Sequence, residues 1–208
     1  MGAKIVVLAG VNGAGKSSIG GFALESVGCS YFNPDRVTQQ LLEADFGLNA
    51  DQANAAAWEI GRRSLERAIA AGADYAFETT LGGRSITDLL LEGIRAGAEI
   101  RMWFCGLDSP ELHLQRVASR VQAGGHDIPE SKVRERYDAS RKNLLRLLPH
   151  LAQLDLYDNS IERDPKTGAI PEPVRLLRVV KGRIVWQAPA DSTPDWAKPI
   201  LMAALKLR

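Results

Sequence analysis

The chain has very little cysteine or histidine: two cysteines, Cys29 and Cys105, far apart in sequence, and three histidines in 208 residues. So sparse a set argues against a disulfide-stapled scaffold and leaves no Cys/His spacing for a zinc site; reduced core thiols in a cytosolic protein are the expectation. An excess of either charge is also missing, with 26 basic against 25 acidic residues and a net charge of +1. Nothing then draws the whole molecule to nucleic acid or to an anionic membrane, and any anion site must be local. No apolar run approaches the length of a membrane span, and the short one near the N-terminus is too brief for a secretory leader. Val6, where a myristoylation signal needs Ser or Thr, removes that reading of Gly2.

What is present is enough apolar residue, 45%, to bury a core, in a length that fits one domain over residues 1–208. Short apolar runs at Ile5 to Ala9, Ser30 to Phe32, Tyr75 to Phe77, Ile100 to Cys105 and Leu154 to Tyr157 alternate with longer helical patterns. That alternation predicts an α/β fold with a mainly parallel five-stranded sheet. Between the second and third strands, residues 36–72 read as a helical insertion, with Ala57, Ile60, Leu65, Ala68 and Ile69 near helical spacing. Ser109 with Pro110, and Pro129, open two further helices separated by Gly124 and Gly125. Over about 174–208, Arg175 to Val180 and Arg183 to Gln187 flank Lys181 and Gly182 as a hairpin, and a helix follows from about Pro194.

The strongest signal is Gly10 Val11 Asn12 Gly13 Ala14 Gly15 Lys16 Ser17, a GxxxxGKS run between the first apolar run and a helix-competent segment. In that context Asn12, Gly13, Ala14, Gly15, Lys16, Ser17 and Ser18 form a phosphate cradle. Glycines let successive backbone amides turn onto an anion, and the helix N-terminus adds its positive dipole end. Lys16 is then expected to reach the β and γ phosphates, and Ser17 to hold Mg²⁺.

Ligands in open α/β sheets gather at the carboxyl ends of strands, and polar residues stand there: Asn33 to Arg36, Glu78 to Thr80, Asp108, and Asp158 to Ser160. Asp35 is the candidate to orient or deprotonate an acceptor hydroxyl, although Asn-Pro-Asp is also ordinary helix-cap sequence. Glu78 ends an apolar strand, where a carboxylate is costly unless it meets a cation, Mg²⁺-bound water or a substrate hydroxyl. Thr79 and Thr80 suit either substrate hydrogen bonds or a cap on the helix near Arg84. Arg116 and Arg120 lie one helical turn apart, followed by Arg134, Arg136 and Arg141. Such a cluster suits a triphosphate, and Gly124 and Gly125 would let about 116–136 close as a lid; the competing reading is a solvated basic face partnered by Glu130 and Glu135. His126, in a glycine-flanked loop, reads as a hinge residue rather than a catalyst.

Together, GVNGAGKSS (10–18), FNPD (32–35), FETTLGGRS (77–85), RVASRVQAGGHDIPESKVRERY (116–137) and YDNS (157–160) resemble the zeta-toxin-like P-loop kinases, in that family's order. The resemblance spans most of residues 4–160. It implies a nucleoside-kinase-like three-layer sandwich that uses ATP with Mg²⁺ and moves the γ-phosphate to a hydroxyl of a small-molecule acceptor, which for the zeta toxins proper is UDP-N-acetylglucosamine. It further implies Lys16 and Ser17 on phosphates and Mg²⁺, Asp35 as base, Glu78 with Asn33 at the acceptor, Arg120 and Arg136 as phosphate clamps, and a protein antitoxin as partner. Glu78-Thr79-Thr80 departs from that family's Glu-Gly-Thr, and the chain has a terminal hairpin of its own. Leu81 to Arg84 faintly resembles a transporter-ATPase signature, but the helical subdomain and the Asp-Glu strand of that class are missing, as is the Asn-Lys-x-Asp of regulatory GTPases. An ATP-binding switch or slow ATPase without an acceptor is the alternative function.

Overall fold

The structure is a computed structural model that describes residues 2–16, 20, 30–125, 127–161 and 171–207. β1 (Lys4–Ala9) is covered on both faces, with Ile5, Val7, Leu8 and Ala9 all buried, which is why it reads as a continuous apolar run rather than an alternation. It pairs in parallel with β2 (Tyr75–Thr79) on one side and β3 (Glu99–Gly106) on the other. β4 (Gln153–Asp158) extends the parallel set beside β3, and β5 (Val174–Val180) and β6 (Arg183–Gln187) add to it antiparallel.

The order is β2-β1-β3-β4-β5-β6. Among the described residues the sheet thus has six strands rather than five, because the C-terminal hairpin continues it instead of standing apart. The strand expected at Ser30 to Phe32 reduces to a bridge between Phe32 and Phe77, since the chain turns at Asn33 to cap the next helix. From β2 the chain crosses back past β1 to reach β3, so the carboxyl end of β1 is where the strand order reverses, the place where α/β sheets hold ligands.

Residues 36–72 divide into α1 (Pro34–Glu43) and α2 (Ala50–Ala71). Asp45 and Gly47, both at positive φ, end the first, and a reciprocal Asn49–Gln52 capping box starts the second. The buried stripe of α2 runs through Ala53, Ala57, Gly61, Leu65 and Ala68, while Ile60 faces solvent. α3 (Arg84–Arg95), α4 (Pro110–Gln122) and α5 (Glu130–Leu147) follow, and α6 (Lys198–Ala204) begins later than expected because Pro194 to Ala197 form a turn.

Leu65 of α2, Leu90 of α3, Leu144 of α5 and Ile200 of α6 join Ile5, Val7, Phe104 and Leu156 in one core, so these four helices cover one face of the sheet. On the other face the register aligns Leu8, Trp103, Asp155 and Arg178. There the buried Asp155 carboxylate accepts from Arg178 at 2.7 Å and 3.3 Å and from Gln153 at 2.6 Å, which meets the demand that a buried charge be paired and hydrogen-bonded. The layer expected over that face from the segment after Lys16 falls mostly outside the described residues. Among the described residues no helix is long and apolar enough to cross a membrane.

Candidate functional site

The parallel register brings Thr79 of β2 and Phe104 of β3 level with Ala9, so the loop leaving β1 emerges between the ends of its neighbours. Gly13 and Gly15 hold φ of 81° and 84°, a region open to glycine at no steric cost. Gly15 also passes under Asn159, whose Nδ2 would lie 2.4 Å from an added Cβ and instead donates to the Ala14 carbonyl at 2.9 Å. Cys105 supports the loop from β3, its Sγ donating to the same carbonyl at 2.9 Å. Burial pushes that thiol up to about 12, so it is an inert support and not a nucleophile.

Lys16 is 9% exposed, and its ammonium sits 3.3 Å from Glu78 Oε1 and 3.4 Å from the Val11 carbonyl. Glu78 Oε2 accepts from Asn33 Nδ2 at 3.1 Å, so the carboxylate at the end of β2 does meet a cation and an amide. Asn33 Oδ1 in turn caps α1 through the Arg36 amide, which leaves the Asp35 side chain free of capping duty on the first turn. Asp35 Oδ2 instead pairs with Arg120 Nη1 at 2.9 Å. Thr79 and Thr80 cap nothing: their hydroxyls accept from the Leu81 and Gly82 amides and close the β2–α3 turn, and Gly83 is the N-cap of α3.

The arginine cluster divides. Arg116 donates to the Asn159 and Ile161 carbonyls at 2.7 Å and 3.3 Å, and Arg136 donates to Asn12 Oδ1 at 2.8 Å, so both lie against the phosphate loop or its supports. Burial draws the Arg136 guanidinium below its usual range, partly offset by Glu135 and Asp35, and it remains a cation. Arg134 pairs with Glu111 and Glu130 on the exposed surface, an ordinary solvated cation, while the partly buried Arg141 pairs with Asp138 and lies over the Tyr137 ring. Ser17, Ser18, His126 and Cys29 lie outside the described residues. Among those described, no cluster of three His, Cys, Asp or Glu side chains is placed to hold a metal. A nucleotide-borne Mg²⁺ needs none, because phosphates and water supply most of its ligands.

Sequence reasoning missed His113 and Asn143. His113, 1% exposed on α4, places Nδ1 2.7 Å from the Asn12 carbonyl and packs edge-on against Tyr137. Its one sequence signal is its place four residues before Val117 on the buried side of α4. Burial lowers its pKa to about 4, against the hydrogen bond to Asn12 and with Lys16, Arg116 and Arg141 adding to the fall. The unfolded chain therefore takes up this proton first as pH drops. Stability from the neutral ring is full above pH ~6.5 and declines toward pH 4, by about 2 kcal/mol at pH 5. Urea unfolding at pH 7.5 and pH 5 should show this loss, and His113→Gln should shrink it; an unchanged slope would assign the titration to another group.

The AAA domain family matches residues 5–144, more than half of the chain. An uncharacterized protein of Haemophilus influenzae is 28% identical over 137 residues, covering 64% of this chain and 92% of that one. A chain of the AvrRxo1-ORF1:-ORF2 complex solved with ATP superposes at TM-score 0.67 and 17% identity over 98% of this chain; this chain spans 64% of that one's length. A chain of the PezAT chromosomal toxin-antitoxin system of Streptococcus pneumoniae superposes at TM-score 0.55 and 15% identity, over 99% of this chain and 85% of that one. At such identities the likeness is one of fold. With a phosphate loop at the reversal point of a mostly parallel sheet and a family match running from β1 into α5, this chain belongs to the AAA domain family and has an α/β P-loop kinase-like fold.

Proposed function

We propose that this protein is an ATP- and Mg²⁺-dependent kinase that transfers the γ-phosphate to a hydroxyl of a small molecule. The observation that carries the reading is a set of polar contacts gathered around the phosphate loop. It runs from Lys16 through Glu78 and Asn33 to the first turn of α1, where Asp35 meets Arg120, while Arg136 returns to the loop at Asn12. A nucleotide-holding loop alone needs no carboxylate poised across it. Phosphoryl transfer does, because one group must position and deprotonate the acceptor while cations meet charge on the moving phosphoryl.

In this reading the loop amides and Lys16 hold the triphosphate, and Asp35 accepts the acceptor's hydroxyl proton as that oxygen bonds to the γ-phosphorus. The bond to the β–γ bridging oxygen breaks and ADP leaves. Arg120 and Arg136 stabilise the equatorial charge, Arg116 lines the nucleotide side, and Glu78 with Asn33, Thr79 and Thr80 faces the acceptor. Ser17 and the phosphates would hold Mg²⁺, which would supply charge neutralisation there. The superposition on a complex solved with ATP supports the nucleotide, and the zeta-toxin-like motif order supports a nucleotide sugar such as UDP-N-acetylglucosamine as acceptor. The superposition on a chain of a toxin-antitoxin system supports a protein antitoxin as partner.

The test is mass spectrometry of a metabolite extract incubated with the protein and MgATP. A species heavier by one phosphoryl group, formed with ADP, is expected. ADP without a phosphorylated product would replace the kinase with the slow ATPase or switch.

A further inference from the structure

The turn between β2 and α3 is gripped and crossed by one helix. Asn143 of α5, 6% exposed, donates its amide to the Leu81 carbonyl at 2.9 Å and the Gly83 carbonyl at 3.2 Å, one on each side of Gly82. Leu81 is buried to 1% at φ 54°, its amide held by Thr79 Oγ1 at 3.0 Å. A non-glycine residue keeps such a conformation only where its surroundings over-determine it. Seven residues before Asn143, two turns along the same helix face, Arg136 crosses Gly82 on its way to Asn12.

A Cβ on Gly82 would lie 2.6 Å from Arg136 Cγ and 3.2 Å from its Cβ. These atoms are at the root of the side chain, so the arginine cannot merely swing its tip away; relief requires a different rotamer, with Nη1 carried off Asn12. The turn cannot retreat instead, because Asn143 holds it on both sides. We propose that Gly82 is a positioning residue, the bed that aims the Arg136 guanidinium at the phosphate loop, with Asn143 as the clasp that keeps the bed in place. This rests on the kinase reading only in taking the aim to be a nucleotide phosphate.

Gly83 supplies the control, since a Cβ there meets nothing within 4 Å and its φ is −106°. Affinity for a fluorescent methylanthraniloyl derivative of ATP with Mg²⁺ is to be measured for four variants. Gly82→Ala and Arg136→Ala should each bind about tenfold more weakly, and Gly83→Ala within about twofold of the parent. Adding Gly82→Ala to Arg136→Ala should cost nothing more, because the glycine acts through the arginine. Parental binding by Gly82→Ala beside a weak Arg136→Ala, or a further loss in the double variant, would overturn the proposal while leaving the kinase reading intact. Parental binding by Arg136→Ala would instead remove the phosphate clamp itself, and the aim along with it.

Discussion

Lys16→Ala should end ATP-dependent phosphoryl transfer and, separately, weaken the fold. The ammonium is buried and 3.3 Å from Glu78 Oε1, so alanine deletes the cation expected to reach the β and γ phosphates and strips the carboxylate of that partner. Losing one charge that faces a transferring phosphoryl group costs about a thousandfold or more in rate. Removing one side of a buried ion pair costs about 3–5 kcal/mol. The two effects separate in Lys16→Ala/Glu78→Gln, where the uncharged amide can still bond Asn33 without needing a cation. Urea unfolding should recover most of the lost stability in the double variant, whereas ADP release in the presence of acceptor should stay absent. Transfer at the parental rate by Lys16→Ala would end the assignment of this loop to the triphosphate.

The phosphate loop was legible in the sequence because residue type and spacing there encode backbone geometry directly. Gly13 and Gly15 do hold the positive φ that the pattern implies. The cation beside Glu78 was not legible: it stands 62 positions away, and the register of β1 with β2, which sets Ala9 beside Thr79, brings Lys16 to it. The Asp35–Arg120 pair, 85 residues apart, depends likewise on how α4 and α1 meet over the rim. His113 and Asn143 are polar residues on buried helix faces, where sequence pattern expects apolar ones, and their partners are backbone carbonyls that leave no trace in composition. The hairpin was readable from Lys181-Gly182 between two apolar runs, but not its attachment to β4, since pairing of an edge strand is decided by what lies beside it. Thr79 and Thr80 looked equally suited to substrate and to capping because the competing acceptor role, taking the amides of Leu81 and Gly82, exists only once Leu81 adopts its left-handed conformation.

Asp35→Asn should lower kcat by about 10²–10⁴, the usual worth of a general base, with ATP affinity within about twofold of the parent. The side chain is half exposed, and its bonded partner is Arg120, not the phosphate loop, so the nucleotide site keeps all its described contacts when the carboxylate goes. Stability should move by under about 1 kcal/mol, since an exposed ion pair contributes little. The cap of α1 is Asn33 and survives the change. A drop in kcat with unchanged unfolding and ATP binding therefore isolates the proton-accepting role, because asparagine keeps the shape and can still accept from Arg120 but cannot take a proton. Arg120→Ala is the companion: it leaves the carboxylate in place and releases Oδ2, so a rate loss there measures the guanidinium's own part in orienting the base and meeting phosphoryl charge. With the acceptor identified, these quantities come from coupled ADP assays, calorimetric ATP titration and urea melts on the same preparations. Full transfer by Asp35→Asn would return Asp35 to the helix-start reading, and the proton acceptor would then be sought among the polar groups at the end of β2.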